Sequence, residues 1–260
     1  MESALKKQMQ HWKKIWTIII HLSWTEIKVR YARSVIGPFW LVLTTAISAL
    51  GLSYVWSILF NQDKETFIPF LTIGLVIWQF IATCINEAPY CFTEYRLIMR
   101  NYSHPIWIYP VALVIKNFII FLHNLVIIVL VLAIYPQGFG WGTVMIIPAF
   151  LLTLLVLAQI VTIFAFFGAR YRDLGSAINA FMTIAFFLSP VIFRPSQLGI
   201  KARLLWFNPL SYLITIIRDP ITGQVSEGFV YLVMIIFILI GAALVQYLLS
   251  RYRYRVLYWI

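Results

Sequence analysis

The chain has 260 residues, of which 62% are hydrophobic and only 11% charged, with a mean hydropathy of +0.89. A water-soluble domain covers its surface with roughly a quarter charged residues, so this composition excludes a chain soluble on its own and points to a membrane protein. The net charge of +11 does not mark a nucleic-acid binder, because the basic residues form clusters between long apolar runs rather than one continuous stripe.

At the N-terminus the apolar piece IWTIII is short, flanked by tryptophan and without a small-residue cleavage site, so no removable signal peptide is expected. Over residues 11–31, helical spacing puts Trp12, Trp16, Ile20, Trp24, Ile27 and Tyr31 on one face. Lys14, Thr17, His21, Thr25 and Lys28 fall on another. That pattern predicts an amphipathic helix lying in the membrane interface. The stretch RYARSVIGPFW follows at 30–40. Tyr31 and Trp40 suit the interface, and Gly37-Pro38 lets the chain turn from lying along the membrane to crossing it. Arg30 and Arg33 obey the positive-inside bias and are also placed to meet phosphate groups.

A helix needs roughly 20 apolar residues to cross the hydrocarbon core. Six stretches are expected to do so: 36–60, 67–84, 106–135, 143–168, 176–193 and 229–249. The chain is then an all-α polytopic membrane protein made of a single domain, 1–260, with no linker and no visible internal repeat. Between the fifth and sixth stretches, LLWFNPLSYLITIIRDP holds an apolar run about half the length of a span. Asn208-Pro209 is a good helix start, and Arg218-Asp219-Pro220 reads as its stop. If this piece crossed the membrane, Arg251, Arg253 and Arg255 would lie outside. A re-entrant segment over 195–218 instead puts both termini and most of the 20 Lys and Arg residues, including Lys116, on the cytoplasmic side. Ser189-Pro190 is expected to break the fifth stretch and feed that segment.

Little in the sequence suits catalysis. All nine acidic residues are expected in the N-terminal segment or in loops, which disfavours proton coupling and a membrane-embedded enzyme. Cys84 and Cys91 have no C-x-x-C pairing and His11, His21, His104 and His123 no ligand-like spacing, so buried thiols rather than a metal site are expected. No glycine is followed by lysine, which excludes a phosphate-binding P-loop. An uphill transporter of this kind needs an ATPase on another chain and a surface to dock it. The loop 87–104, EAPYCFTEYRLIMRNYSH, mixes Glu94, Arg96 and Arg100 with apolar residues and is the expected docking element. Tyr54, Trp56 and Phe60 at one end of the first span suit an interfacial belt or a ring-lined path for sugar faces. Asn117, His123, Asn124 and Asn179 are expected to face the bundle rather than lipid.

The basic interfacial helix, RYARSVIGPFW, YRD at 171–173, and SPVIF followed by WFNPLSYLITIIRDPI come in an order that resembles the permease subunit of bacterial ABC exporters of polysaccharides. The resemblance covers nearly the whole chain. It implies six spans per subunit, a homodimer around one wide channel in the bacterial inner membrane, and two copies of a separate ATP-binding cassette subunit that supply ATP and Mg chemistry. No cofactor is then expected on this chain. The implied cargo is a glycan on a lipid carrier, typically polyprenyl diphosphate, whose phosphates Arg30 and Arg33 are placed to meet. The resemblance also implies that 87–104 is the coupling element and that 195–218 is re-entrant at the periplasmic exit. The motif wording is nearer the O-antigen exporters than those for capsule or teichoic acid. A permease for a drug, lipid or small molecule is the alternative in the same architecture.

Overall fold

A computed structural model of the chain describes residues 2–32, 37, 39–138, 140–194 and 203–260; Arg33 and residues 195–202 lie outside the described residues. All regular structure among them is helical. The first helix, α1 (Glu2–Tyr31), is followed by α2 (Phe39–Leu59) and α3 (Lys64–Glu87). A broken segment comes next: a 3-10 turn at Ala88–Tyr90, α4 (Cys91–Glu94) and α5 (Arg96–Asn101). Then come α6 (Ile108–Ile134), α7 (Ile146–Arg170), α8 (Leu174–Leu188), α9 (Pro209–Ile221), α10 (Gly228–Tyr252) and α11 (Val256–Trp259).

The turn between α2 and α3 shows how the sequence ends one helix and begins the next. Asn61 takes a left-handed φ of 48°, which asparagine tolerates better than most residues. Gln62 N–H then reaches back to the Ser57 carbonyl at 3.0 Å. Asp63 caps α3, its side chain accepting from Glu65 N–H. The polar run NQDKET is therefore a helix stop and a helix start in succession.

Five helical segments are long and apolar enough to cross a membrane, beginning at Val42, Lys64, Ile108, Trp141 and Gly228. The stretch expected as the fifth span, 176–193, is different: α8 has only 15 residues. It stops at Leu188 because Ser189 turns extended ahead of Pro190, as proline requires of the residue before it. Val191 and Ile192 then pack, non-helical, into the core. The break falls where Ser189-Pro190 predicts it.

α3 lies at the centre, packed against α2, α6, α7, α8 and α9. Its apolar segment is 72% buried, against 17% for that of α2 and of α10. α9 is buried along almost its whole length, from Leu210 to Arg218. Asn208 caps it by accepting from Leu210 N–H at 3.0 Å, and donates to Ser189 Oγ at 2.8 Å. One side chain thus starts α9 and ties it to the end of α8. The helix does not stop at Arg218-Asp219-Pro220 but runs to Ile221, because its amides after Pro220 still find carbonyls one turn back.

Two further findings bear on expectations, and the second corrects one. α1 has a third face, formed by Ile15, Ile19 and Ser23, which packs on Ile108 and Ala112 of α6. Ser23 Oγ lies 2.8 Å from the Ala112 carbonyl. Trp12, Trp16 and Trp24 remain exposed, so α1 is docked on the bundle with its tryptophans outward. Glu87 belongs to the last turn of α3 rather than to a loop, and its surroundings give it a structural role.

Candidate functional site

Three helices carry polar side chains to one groove of about 580 Å³ between α2, α3 and α8. α2 contributes Thr44, Thr45 and Ser48; α3 contributes Gln79, Thr83 and Asn86; α8 contributes Asn179 and Thr183. Apart from the adjacent Thr44 and Thr45, the spacing on each helix is three or four residues, which keeps each set on one face. Trp78, Phe186 and Phe187 supply ring surface, with Trp78 and Phe186 centroids 5.5 Å apart. Thr44, Thr83 and Thr183 donate to carbonyls one turn back in their own helices. A hydroxyl held that way is tolerated at membrane depth and still offers lone pairs to a guest. Asn86 Oδ1 is buried with no partner among the described residues. No titratable side chain among the described residues lines the groove; its hydroxyls, amides and rings can hold a polar guest by hydrogen bonds and ring contacts.

At one end of the groove lies an ion network. Lys116 Nζ of α6 is 2.8 Å from Glu26 Oε2 of α1 and 2.9 Å from Glu87 Oε2 of α3. Asn117 donates to the same Glu87 oxygen at 2.9 Å, and Arg30 Nη2 to Glu87 Oε1 at 3.0 Å. The Lys116 side chain is 4% exposed, so its charge depends on these two carboxylates. Three helices are thereby fastened where α3 runs into the segment 88–101.

That segment is clamped on its other side. A side chain at Gly168 of α7 would collide with the Pro89 backbone, and one at Gly175 of α8 with the Tyr90 ring and hydroxyl. Gly168 meets backbone that cannot yield and so requires glycine, whereas Gly175 meets a side chain that can move. Ala88, Pro89, Cys91, Phe92, Tyr95 and Met99 face inward, while Glu94, Arg96, Leu97 and Arg100 face outward. Leu97 is 73% exposed. The segment expected as one docking helix is therefore three short pieces, broken at Tyr95, with a polar and apolar outer face.

The candidate residues from the sequence divide between these places. Asn179 lies in the groove. Arg30 lies in the ion network, its guanidinium on Glu87, and keeps 42% of its side chain exposed. Trp56 and Phe60 lie beyond the groove, their rings tilted against each other with centroids 4.8 Å apart. Tyr54 points elsewhere, two residues or roughly 200° round the helix from Trp56, with Lys64 Nζ 4.8 Å from its ring. Glu94, Arg96 and Arg100 are on the outer face of 88–101, and Arg100 Nη2 donates to the Ile260 carbonyl at 3.5 Å. Asn117 and Asn124 are buried in the bundle, and His123 bonds the Ile119 carbonyl of its own helix at 2.7 Å. Cys84 and Cys91 are buried free thiols. Sequence reasoning passed over Thr44, Ser48, Gln79, Thr83, Asn86 and Thr183. Their signal was the recurrence of polar residues at helical spacing within apolar runs.

Relatives of known designation match along the chain. O-antigen export system permease protein RfbA of Myxococcus xanthus is 23% identical over 76% of this chain and 77% of its own length. Two proteins of Klebsiella pneumoniae with the same designation are 22% and 21% identical, each over 92% of this chain and 94% of its own length. The family model for the ABC-2 type transporter matches residues 17–222. That match spans the second half of α1, the groove, the network and α9, and with it this multi-pass membrane chain belongs to the ABC-2 type transporter family.

Proposed function

We propose that the chain is the membrane subunit of an ATP-driven exporter that moves lipid-linked polysaccharide, O-antigen on polyprenyl diphosphate, across the bacterial inner membrane. The observation that carries this is the groove between α2, α3 and α8: hydroxyls, amides and rings with no charge, set in apolar helices. Such a surface suits an uncharged polymer of sugars, which needs hydrogen-bond partners and flat apolar faces without strong retention. The relatives' designation as O-antigen export permeases supports the polysaccharide reading.

In this account two copies of the chain enclose the path, with Asn179, Trp56 and Phe60 along it and Tyr54 at its rim. The exposed apolar faces of α2 and α10 meet lipid or the second copy. Both termini and the end carrying the ion network are cytoplasmic. There Arg30, with Arg33, meets the carrier's phosphates while one edge of its guanidinium stays on Glu87. Six crossings result when 176–193 counts as the fifth, with 195–218 re-entrant; such a segment is tolerated in a bilayer because α9 is buried in protein.

Two ATP-binding cassette subunits, which carry the ATP and Mg, dock on Glu94, Arg96, Leu97 and Arg100. Force on 88–101 passes through Pro89 and Tyr90 to Gly168 of α7 and Gly175 of α8. Because α8 forms one wall of the groove, its displacement widens or narrows the path. The chain itself hydrolyses nothing.

Deletion followed by localisation of the glycan tests the function. The polymer is expected to accumulate inside and to return to the surface on complementation. Surface polymer in the deletion strain, with no substitute permease, overturns the proposal.

A further inference from the structure

At the end of the bundle opposite the ion network, a second cavity of about 460 Å³ is lined by Phe70 of α3, by Arg194 and Trp206, by Arg218 and Asp219 of α9, and by Glu227 before α10. Two of its polar residues, Arg218 and Thr215, are buried, Arg194 and Asp219 are half-buried, and Glu227 is exposed at its edge. Arg218 of α9 is 3% exposed; it donates to the Pro190 carbonyl, and its guanidinium carbon lies 4.1 Å from the centre of the Phe70 ring. No carboxylate among the described residues lies within ion-pair distance of it. A guanidinium has five N–H donors, and these contacts leave several for a guest.

Arg194 lies over the same Phe70 ring at 5.2 Å. Thr215 is 8% exposed; it lines the cavity, and its Oγ1 is buried without a partner among the described residues. A buried hydroxyl without a partner costs free energy unless something fills the place. Asp219 and Glu227 line the same space. Trp206 closes one side, its ring fixed edge-on against Phe229 at 4.7 Å and against Tyr212 at 5.0 Å.

The balance of groups selects the guest. An anion attracted by Arg194 and Arg218 meets Asp219 and Glu227, and a cation meets the reverse. A neutral molecule dense in hydroxyls satisfies both sets at once, since each hydroxyl donates to a carboxylate and accepts from a guanidinium. Ring surface from Trp206 and Phe70 covers its C–H faces. We infer that this cavity is a binding site for one neutral sugar unit, separate from the groove between α2, α3 and α8. Its use as a holding point for an emerging chain rests on the export function proposed above; the binding itself does not.

The test uses the full chain in lipid nanodiscs with the methyl glycosides of glucose, galactose, mannose and N-acetylglucosamine, read by saturation-transfer NMR. At least one glycoside is expected to bind, and to bind about tenfold more weakly to Thr215→Val and to Glu227→Gln. Unaltered thermal unfolding shows that the variants fold, and Trp206→Phe substitutes for either that does not. Absence of binding by all four, binding unaffected by the variants, or tighter binding of inorganic phosphate overturns the assignment. The two proposals fail separately. Loss of surface glycan on deletion, with no glycoside bound, leaves export standing and removes this site. Glycoside binding with surface glycan intact on deletion does the opposite.

Discussion

Lys116 and Arg218 are the two buried basic residues among the described ones, each 3% exposed, and they are housed in opposite ways. Lys116 sits between two carboxylates from two other helices. Arg218 has a carbonyl and an aromatic face, and no carboxylate in ion-pair range among the described residues. A compensated charge is a fastening: removing it leaves its partners buried and unpaired. A guanidinium held by a ring and one carbonyl keeps donors unspent. Burial of a cation alone therefore does not identify a binding site; what its partners leave over does.

Stability measurements can break this comparison. Lys116→Met leaves Glu26 without its partner and Glu87 held by Arg30 and Asn117 alone, and is expected to cost about 3 kcal/mol, the low end for a broken buried pair, seen as a lowered unfolding temperature in detergent or as loss of folded protein. Arg218→Met removes a charge with no paired carboxylate and is expected to cost less, about 1.5–3 kcal/mol for the charged hydrogen bond. Equal losses from the two variants would erase the distinction. Gly168→Ala forces the Pro89 backbone away from α7 and is expected to cost about 1–3 kcal/mol. Gly175→Ala costs less, because the half-exposed Tyr90 ring it meets can swing aside. Arg30→Gln, where the arginine keeps 42% of its side chain exposed and Glu87 retains Lys116 and Asn117, should change stability by about 1 kcal/mol. Charge reversal at Glu94 or Arg100 should leave folding unchanged and lower export per ATP hydrolysed; unaltered coupling in both variants would remove the docking role of 88–101.

Much of this was legible in the sequence, and the remainder has physical reasons. Apolar length marked the long spans, and Ser189-Pro190 marked the break after α8, because both are local properties. Lys116 lay in an apolar run and bore only on sidedness. Its partners, Glu26 and Glu87, are distant in sequence, and Glu87 reads as a loop residue until α3 is seen to run through it. Likewise Thr44, Gln79 and Thr183 each look like ordinary helix-packing hydroxyls or amides. Only the register between α2, α3 and α8 brings them together, and three helices sliding past one another leave no trace of register in composition. Tyr54 was grouped with Trp56 and Phe60 by proximity along the chain, which helical rotation undoes. Arg218 resembled a helix stop because it precedes Asp219-Pro220; its burial against Phe70 is tertiary.

The most direct measurement of the central claim is the amount of glycan at the surface of a deletion strain complemented with a variant whose groove is filled. Thr183→Trp places a bulky ring among Thr44, Gln79 and Asn179, whereas Ile184→Trp, on the exposed neighbouring face of α8, serves as control. The account predicts that Thr183→Trp strands the glycan inside while the protein still folds, and that Ile184→Trp exports normally. Full surface glycan with the groove filled would contradict it.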